Sequence, residues 1–137
     1  MNIQSQMKEL FGNSCYAYAL AYLFRKSDDV KVLTKLVLEG WYNSYIDDDG
    51  FVSKPTKFIK LISGESFKDV QHVTINSSNE LPEGNWIVMY KYNNGTHFVV
   101  ANRNGVIFDP SGESNSVKYG KVASYRRFIK WKVPSIV

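Results

Sequence analysis

The apolar positions of the chain change their period once. Up to about residue 65 they recur at helical spacing; from Phe67 onward they alternate, or run in short stretches bounded by turn residues. Residues 2 to 11 fit a short helix stopped by Gly12. Asn13 and Ser14 are N-cap residue types, and the helix they introduce begins at about Cys15 and runs to Phe24, apolar or aromatic on every face. Such a helix is buried all round and forms a structural axis. Ser27, Asp28 and Asp29 make a capped, acidic first turn for a third helix, whose Val30, Leu33, Leu36 and Val37 keep helical spacing up to Gly40. Asp47, Asp48, Asp49 and Gly50 read as a solvated turn, because a calcium loop needs alternating ligands and a distal glutamate. Pro55 suits the first position of a short helix that carries Phe58, Ile59, Leu61 and Ile62 and ends at Gly64.

The second half predicts five strands: Val70 to Ile75, Trp86 to Tyr92, Thr96 to Ala101, Val106 to Asp109 and Tyr125 to Val133. Asn94-Gly95 and Asn104-Gly105 are hairpin signals. Helices followed by an antiparallel meander predict an α+β fold with segregated layers, the N-terminal helices and their buried cysteine-bearing member packing on a C-terminal antiparallel sheet. Neither a linker nor an internal repeat interrupts the pattern. The 137 residues are expected to form one domain, 1–65 mainly helical and 66–137 mainly β.

Composition narrows the function classes. With 44% hydrophobic, 15% aromatic and 22% charged residues, a packed globule is expected and disorder is not. A net charge of +4 is mild, and the basic residues cluster only near the C-terminus, where Lys118, Lys121, Arg126, Arg127, Lys130 and Lys132 interleave with aromatic residues. That interleaving could serve nucleic acid, but an alternating strand with a solvated basic face accounts for it, so nucleic acid is not among the expected partners. No stretch approaches the ~18 continuous apolar residues of a membrane helix, and the N-terminus carries no signal pattern; no membrane partner and a cytoplasmic location are expected. A single cysteine excludes an intrachain disulfide and a cysteine-rich zinc site. Two histidines without metal-ligand spacing predict no metal and no cofactor.

Any chemistry therefore centres on Cys15 and the histidines. Cys15 falls at a helix start, where unsatisfied N–H groups and the positive end of the dipole favour a thiolate. A lone cysteine on an apolar helix is also a common small core residue. His97 opens a strand, and Asp109 ends the antiparallel strand that follows, so both finish at the same sheet edge. Whether they share a face depends on the hairpin. A two-residue Asn104-Gly105 loop would pair Val100 with Asp109 and turn the carboxylate away. A three-residue loop of Arg103, Asn104 and Gly105, with Gly105 as the bulge residue, pairs Val99 with Asp109 and brings the carboxylate within about 7 Å of His97 at the Cβ atoms. His72 follows Gln71 in a segment of mixed polarity, has no downstream carboxylate at hairpin distance, and is the weaker candidate for a base.

A cysteine opening a buried helix (Gly12-Asn13-Ser14-Cys15-Tyr16-Ala17), a His-led strand (Thr96-His97-Phe98-Val99-Val100) and an Asp-Pro after the next strand (Asp109-Pro110) together resemble the papain-like cysteine peptidase superfamily. The likeness is nearest to its minimal bacterial and phage-borne branch, similar to bacteriocin-processing peptidase domains. The resemblance implies a papain-like fold and a cysteine peptidase or amidase that cleaves a peptide or isopeptide bond through a thioester. It also implies a peptide or protein substrate, with Cys15 as nucleophile, His97 as general base and acid, and Asp109 orienting the histidine. Family members commonly carry a glutamine about six residues before the cysteine as an oxyanion donor, and Glu9 stands there instead. Gln6 and Asn13 are the candidate replacements, beside the Cys15 backbone N–H. The alternative motivated by Glu9 is a catalytically inactive papain-like module that binds protein or peptide.

Overall fold

A computed structural model describes residues 14–25, 27, 29–65, 67–74, 83–112 and 114–130. Helix α1 spans Cys15–Arg25, α2 Val30–Tyr42 and α3 Pro55–Ser63; strands β1 Phe67–Thr74, β2 Trp86–Tyr92, β3 Gly95–Asn102 and β4 Gly105–Phe108 follow, then α4 Asn115–Tyr119 and β5 Lys121–Lys130. The protein is α+β, with its helices packed on an antiparallel sheet. The expected helix over residues 2 to 11, with Gly12 and Asn13, lies outside the described residues, as do Ile75 and the end of the last predicted strand.

Helix α1 is the axis its composition requires. Ala17, Tyr18, Ala19, Leu20 and Ala21 are fully buried, and the helix packs chiefly against β3, α2 and α3. Tyr16, Tyr22, Leu23 and Phe24 are only partly buried, so the expectation of burial on every face is corrected; polar atoms within the buried stretch must be satisfied internally. The Tyr18 hydroxyl accordingly meets Thr34 Oγ1 at 3.0 Å, and burial pushes the phenol up to about 12, the Thr34 hydrogen bond offsetting part of the rise. Ser14 occupies the N-cap position, its carbonyl accepting the Tyr18 N–H at 3.1 Å, but its side chain does not cap: Ser14 Oγ is buried with no hydrogen-bond partner. Of the two expected cap residues, Ser14 thus holds the position without the side-chain bond.

Asp29 caps α2 by accepting the Lys31 N–H at 2.9 Å, and Ser27 in turn accepts the Asp29 N–H. Helix α2 runs past Gly40 to Tyr42, against the expectation that Gly40 stops it. The glycine is there for space. A Cβ at position 40 would lie 2.6 Å from the Phe58 ring and 2.8 Å from Ile46, so Gly40 is where α3 and the following turn close onto α2. Pro55 and the left-handed Gly64 bound α3 as its ends require, and Phe58, Ile59 and Ile62 are buried on one face.

The sheet order is β1-β5-β2-β3-β4, all neighbours antiparallel. Only β2-β3-β4 is a meander. Strand β5 inserts between β1 and β2, so the expected continuous meander is corrected. It also begins at Lys121, four residues before the expected start, and α4 is a short helix the strand pattern does not predict. The two faces bury different clusters. Ile87, Phe98, Val100, Phe108 and Phe128 join the helical core, while Trp86, Val88, Val99, Ala101 and Tyr125 form a second cluster closed by Val117 of α4. Arg126 and Arg127, successive on β5, point to opposite faces and do not form one basic surface. Arg126 Nη1 donates to the Tyr16 hydroxyl at 2.7 Å, and Arg127 lies 5.0 Å over the Trp86 ring. Among the described residues no helix is long and apolar enough to cross a membrane.

Candidate active site

Cys15 is the first residue of α1, so its backbone N–H has no intrahelical acceptor and its side chain sits at the positive end of the helix. The Tyr16 ring packs on Phe98 of β3 at a centroid distance of 4.7 Å, which fixes the helix start against the start of the strand. His97, one residue before Phe98, is 6% exposed, and the Cys15 side chain lies near enough to act on its charge. Its Nε2 is 2.6 Å from Asp109 Oδ1, which leaves Nδ1 as the ring nitrogen not engaged by the carboxylate.

Asp109 reaches His97 by a route different from the one expected. Asn102 pairs with Gly105, so Arg103 and Asn104 form a two-residue turn and the expected three-residue loop is corrected. At that register Asp109 would face away. A register shift between Val100 and Ala101 leaves Ile107 as an extra residue and sets Val100 opposite Phe108. Continued by one position, this puts Val99 opposite Asp109, the parity that the His–Asp contact needs. A bulge inside the hairpin does what the wider loop would have done.

The carboxylate is held from three sides. Oδ1 also accepts the Ser111 N–H at 2.9 Å, and Oδ2 accepts the Ser114 hydroxyl at 2.8 Å. Ser114 is the N-cap of α4, its Oγ accepting the Val117 N–H. Helix α4 can sit there because Gly120 lets its end approach β2: a Cβ on Gly120 would meet Ser116 O at 2.3 Å and Lys91 O at 2.7 Å. Sequence reasoning missed Ser114. The signal was a serine three residues before an apolar valine, in a helix too short to show a period.

Charge follows from these contacts. Burial alone would lower the His97 imidazole, but the hydrogen bonds and negative charge of Asp109 and Cys15 outweigh it and push the ring up to about 9. Burial would raise the Asp109 carboxyl, yet the hydrogen bonds from His97, Ser114 and Ser111 and the His97 charge hold it below its ordinary 3.8. Tyr90, paired with His97 across β2 and β3, has its phenol raised by burial and by the Asp109 charge.

A cleft of about 500 Å³ opens onto the pair, with Cys15 and His97 in its wall and Asp109 behind them. Cys15 is only 7% exposed, and this cleft is its access to solvent. The remaining candidates are elsewhere. His72 lies on β1 opposite Arg126, with β5 and β2 between its strand and β3, roughly 14 Å across at the spacing of paired strands. Gln6 and Asn13, the candidate oxyanion donors, lie outside the described residues, as does Glu9. Glu83 and Gly84 border a separate depression with Asn102, Arg103 and Asn104. The Trp41 to Asp49 turn contributes through its next residues, Phe51 lining the cleft. Among the described residues no group of three or more His, Cys, Asp or Glu side chains could hold a metal ion.

Fold and site together define an α+β protein in which a helix-initiating cysteine, a buried histidine and a fully bonded aspartate are in series beside a cleft. The chain belongs to the family described as "Protein of unknown function, DUF261", whose sequence model matches residues 1–130. No curated protein and no solved structure matches it.

Proposed function

We propose that the chain is a papain-like thiol hydrolase that cleaves a peptide, isopeptide or related amide bond of a peptide or protein substrate in the cytoplasm. The observation that carries the reading is the placing of Cys15, His97 and Asp109 at one cleft, with Cys15 and His97 in its wall and the imidazole bonded through Nε2, at 2.6 Å, to a buried carboxylate. An imidazole raised to about 9 carries a proton at neutral pH and is the positive partner that a thiolate nucleophile needs.

The Cys15 thiolate adds to the substrate carbonyl carbon, and the negative charge moves to the carbonyl oxygen. The Cys15 backbone N–H, free because it begins α1, supplies one donor to that oxyanion. His97 Nδ1 passes its proton to the leaving nitrogen, the C–N bond breaks, and a thioester remains on Cys15. His97, now neutral, takes a proton from water as it attacks the thioester; the carboxylic acid leaves and the thiolate–imidazolium pair is restored. Asp109 stays ionised throughout and holds the ring with Nδ1 toward the sulfur.

The test is digestion of a proteome-derived peptide library, read by mass spectrometry. New termini appear with the wild-type protein and are absent with Cys15→Ala and His97→Ala. If wild type and Cys15→Ala give the same peptides, the hydrolase reading fails and the binding-module alternative takes its place.

A further inference from the structure

Phe51 is the large apolar side chain that lines the Cys15–His97 cleft while remaining 53% exposed. Its position is held by the turn that carries it. Asp47 Oδ1 accepts the N–H groups of both Asp49 and Phe51 at 3.0 Å, the Phe51 carbonyl accepts the Asp47 N–H at 2.9 Å, and Ile46 pairs with Val52 as an antiparallel bridge. Trp41 Nε1 donates to Asp48 at 2.9 Å and ties the turn to the end of α2. A half-exposed aromatic ring is thus fixed at the wall of the cleft by the turn that carries it.

The other walls are as particular. Tyr16 and Phe98 add aromatic surface, and the Tyr16 hydroxyl is engaged by Arg126. Asn94, Thr96, Ser111, Ser114 and Ser116 supply short neutral donors and acceptors. Among the described residues, no Asp, Glu, Lys or Arg side chain lines the cleft. An aromatic or large aliphatic substrate side chain entering it would cover Phe51.

We propose that Phe51 is the specificity-determining residue of the site. A large apolar or aromatic side chain next to the scissile bond lies against Phe51, and the neutral polar wall bonds the peptide backbone. This rests on the thiol-hydrolase reading of the same cleft.

In the peptide-library digest, one fixed position beside the cut is expected to favour Phe, Tyr, Trp, Leu or Met over Ala or Gly by about tenfold or more. With the best peptide, Phe51→Ala raises KM by about tenfold and removes the preference, while kcat changes less; Phe51→Trp keeps the preference. Cysteine-dependent cuts with no apolar position, or an unchanged preference in Phe51→Ala, overturn the Phe51 proposal and leave the hydrolase standing. Absence of any cysteine-dependent cut overturns both.

Discussion

Asp109→Asn changes one atom type in the site and tests the electrostatics that place a proton on His97. Both side chains are nearly sealed from solvent, 7% exposed for His97 and 6% for Asp109, so water screens the pair little. His97 stands at about 9 in the folded protein against an ordinary 6.5. A difference of that size corresponds to about 3 kcal/mol of folding stability, at about 1.4 kcal/mol per unit. Because the folded value is the higher one, this contribution is complete below pH 6.5 and is lost as pH rises through about 9. Asp109, held below 3.8, marks the other limit: the same interaction is lost as pH falls below that value. The two shifts describe one pair and count once. Replacing the carboxylate by an amide removes its charge and leaves burial, which lowers the ring, set against Cys15, which raises it.

Two measurements follow. His97 in the Asn variant titrates well below its wild-type value of about 9, read from the imidazole carbon-bound protons by NMR, with His72→Gln used to assign the two resonances. Urea denaturation finds Asp109→Asn less stable than wild type at pH 6 by up to about 3 kcal/mol, with the gap closing toward pH 9.5. A wild-type His97 midpoint near 6.5, or a stability gap that does not change between pH 6 and 9.5, would refute the reasoning.

Further outcomes follow from the same contacts. Ser114→Ala removes both the α4 cap and a donor to Asp109, costs about 1–2 kcal/mol in denaturant unfolding, and lowers the His97 midpoint; Ser114→Thr restores both. Gly40→Ala lowers stability by about 1–3 kcal/mol, although alanine is the better helix former by ~1 kcal/mol, because its methyl group meets Phe58 and Ile46. An unchanged or raised Tm there would mean that α2 and α3 do not approach as described. Tyr18→Phe leaves the Thr34 hydroxyl without its partner inside the helical layer and costs about 0.5–1.5 kcal/mol in the same unfolding assay.

Much of this architecture is legible where a local signal exists. Cys15 as the first residue of α1, Pro55 and Gly64 as the limits of α3, and Trp86 to Tyr92 as β2 all rest on short-range chemistry: caps, fixed φ angles and alternation; the expected acidic first turn of α2 is corrected, because Asp29 precedes the helix as its cap. What escapes is set over long distances. Nothing near Lys121 says that its strand pairs with both β1 and β2, because that choice belongs to the shape of the whole sheet. Gly40 carries the same letter whether it ends a helix or admits a phenyl ring; only the neighbour Phe58 decides. At the site, parity correctly required an extra residue between Val99 and Asp109, but it could not distinguish a wider turn from the bulge at Ile107. Ser114 escaped because its role joins two elements, one of them only five residues long.

The central claim is that His97 makes Cys15 a reactive thiolate. Alkylation by iodoacetamide, followed by intact mass at pH 7, tests it most directly. Wild type reacts at Cys15 about tenfold faster than free cysteine, and His97→Ala brings the rate to or below that of the free thiol. A Cys15 that reacts no faster than free cysteine in the folded protein, with no change in His97→Ala, would contradict the account.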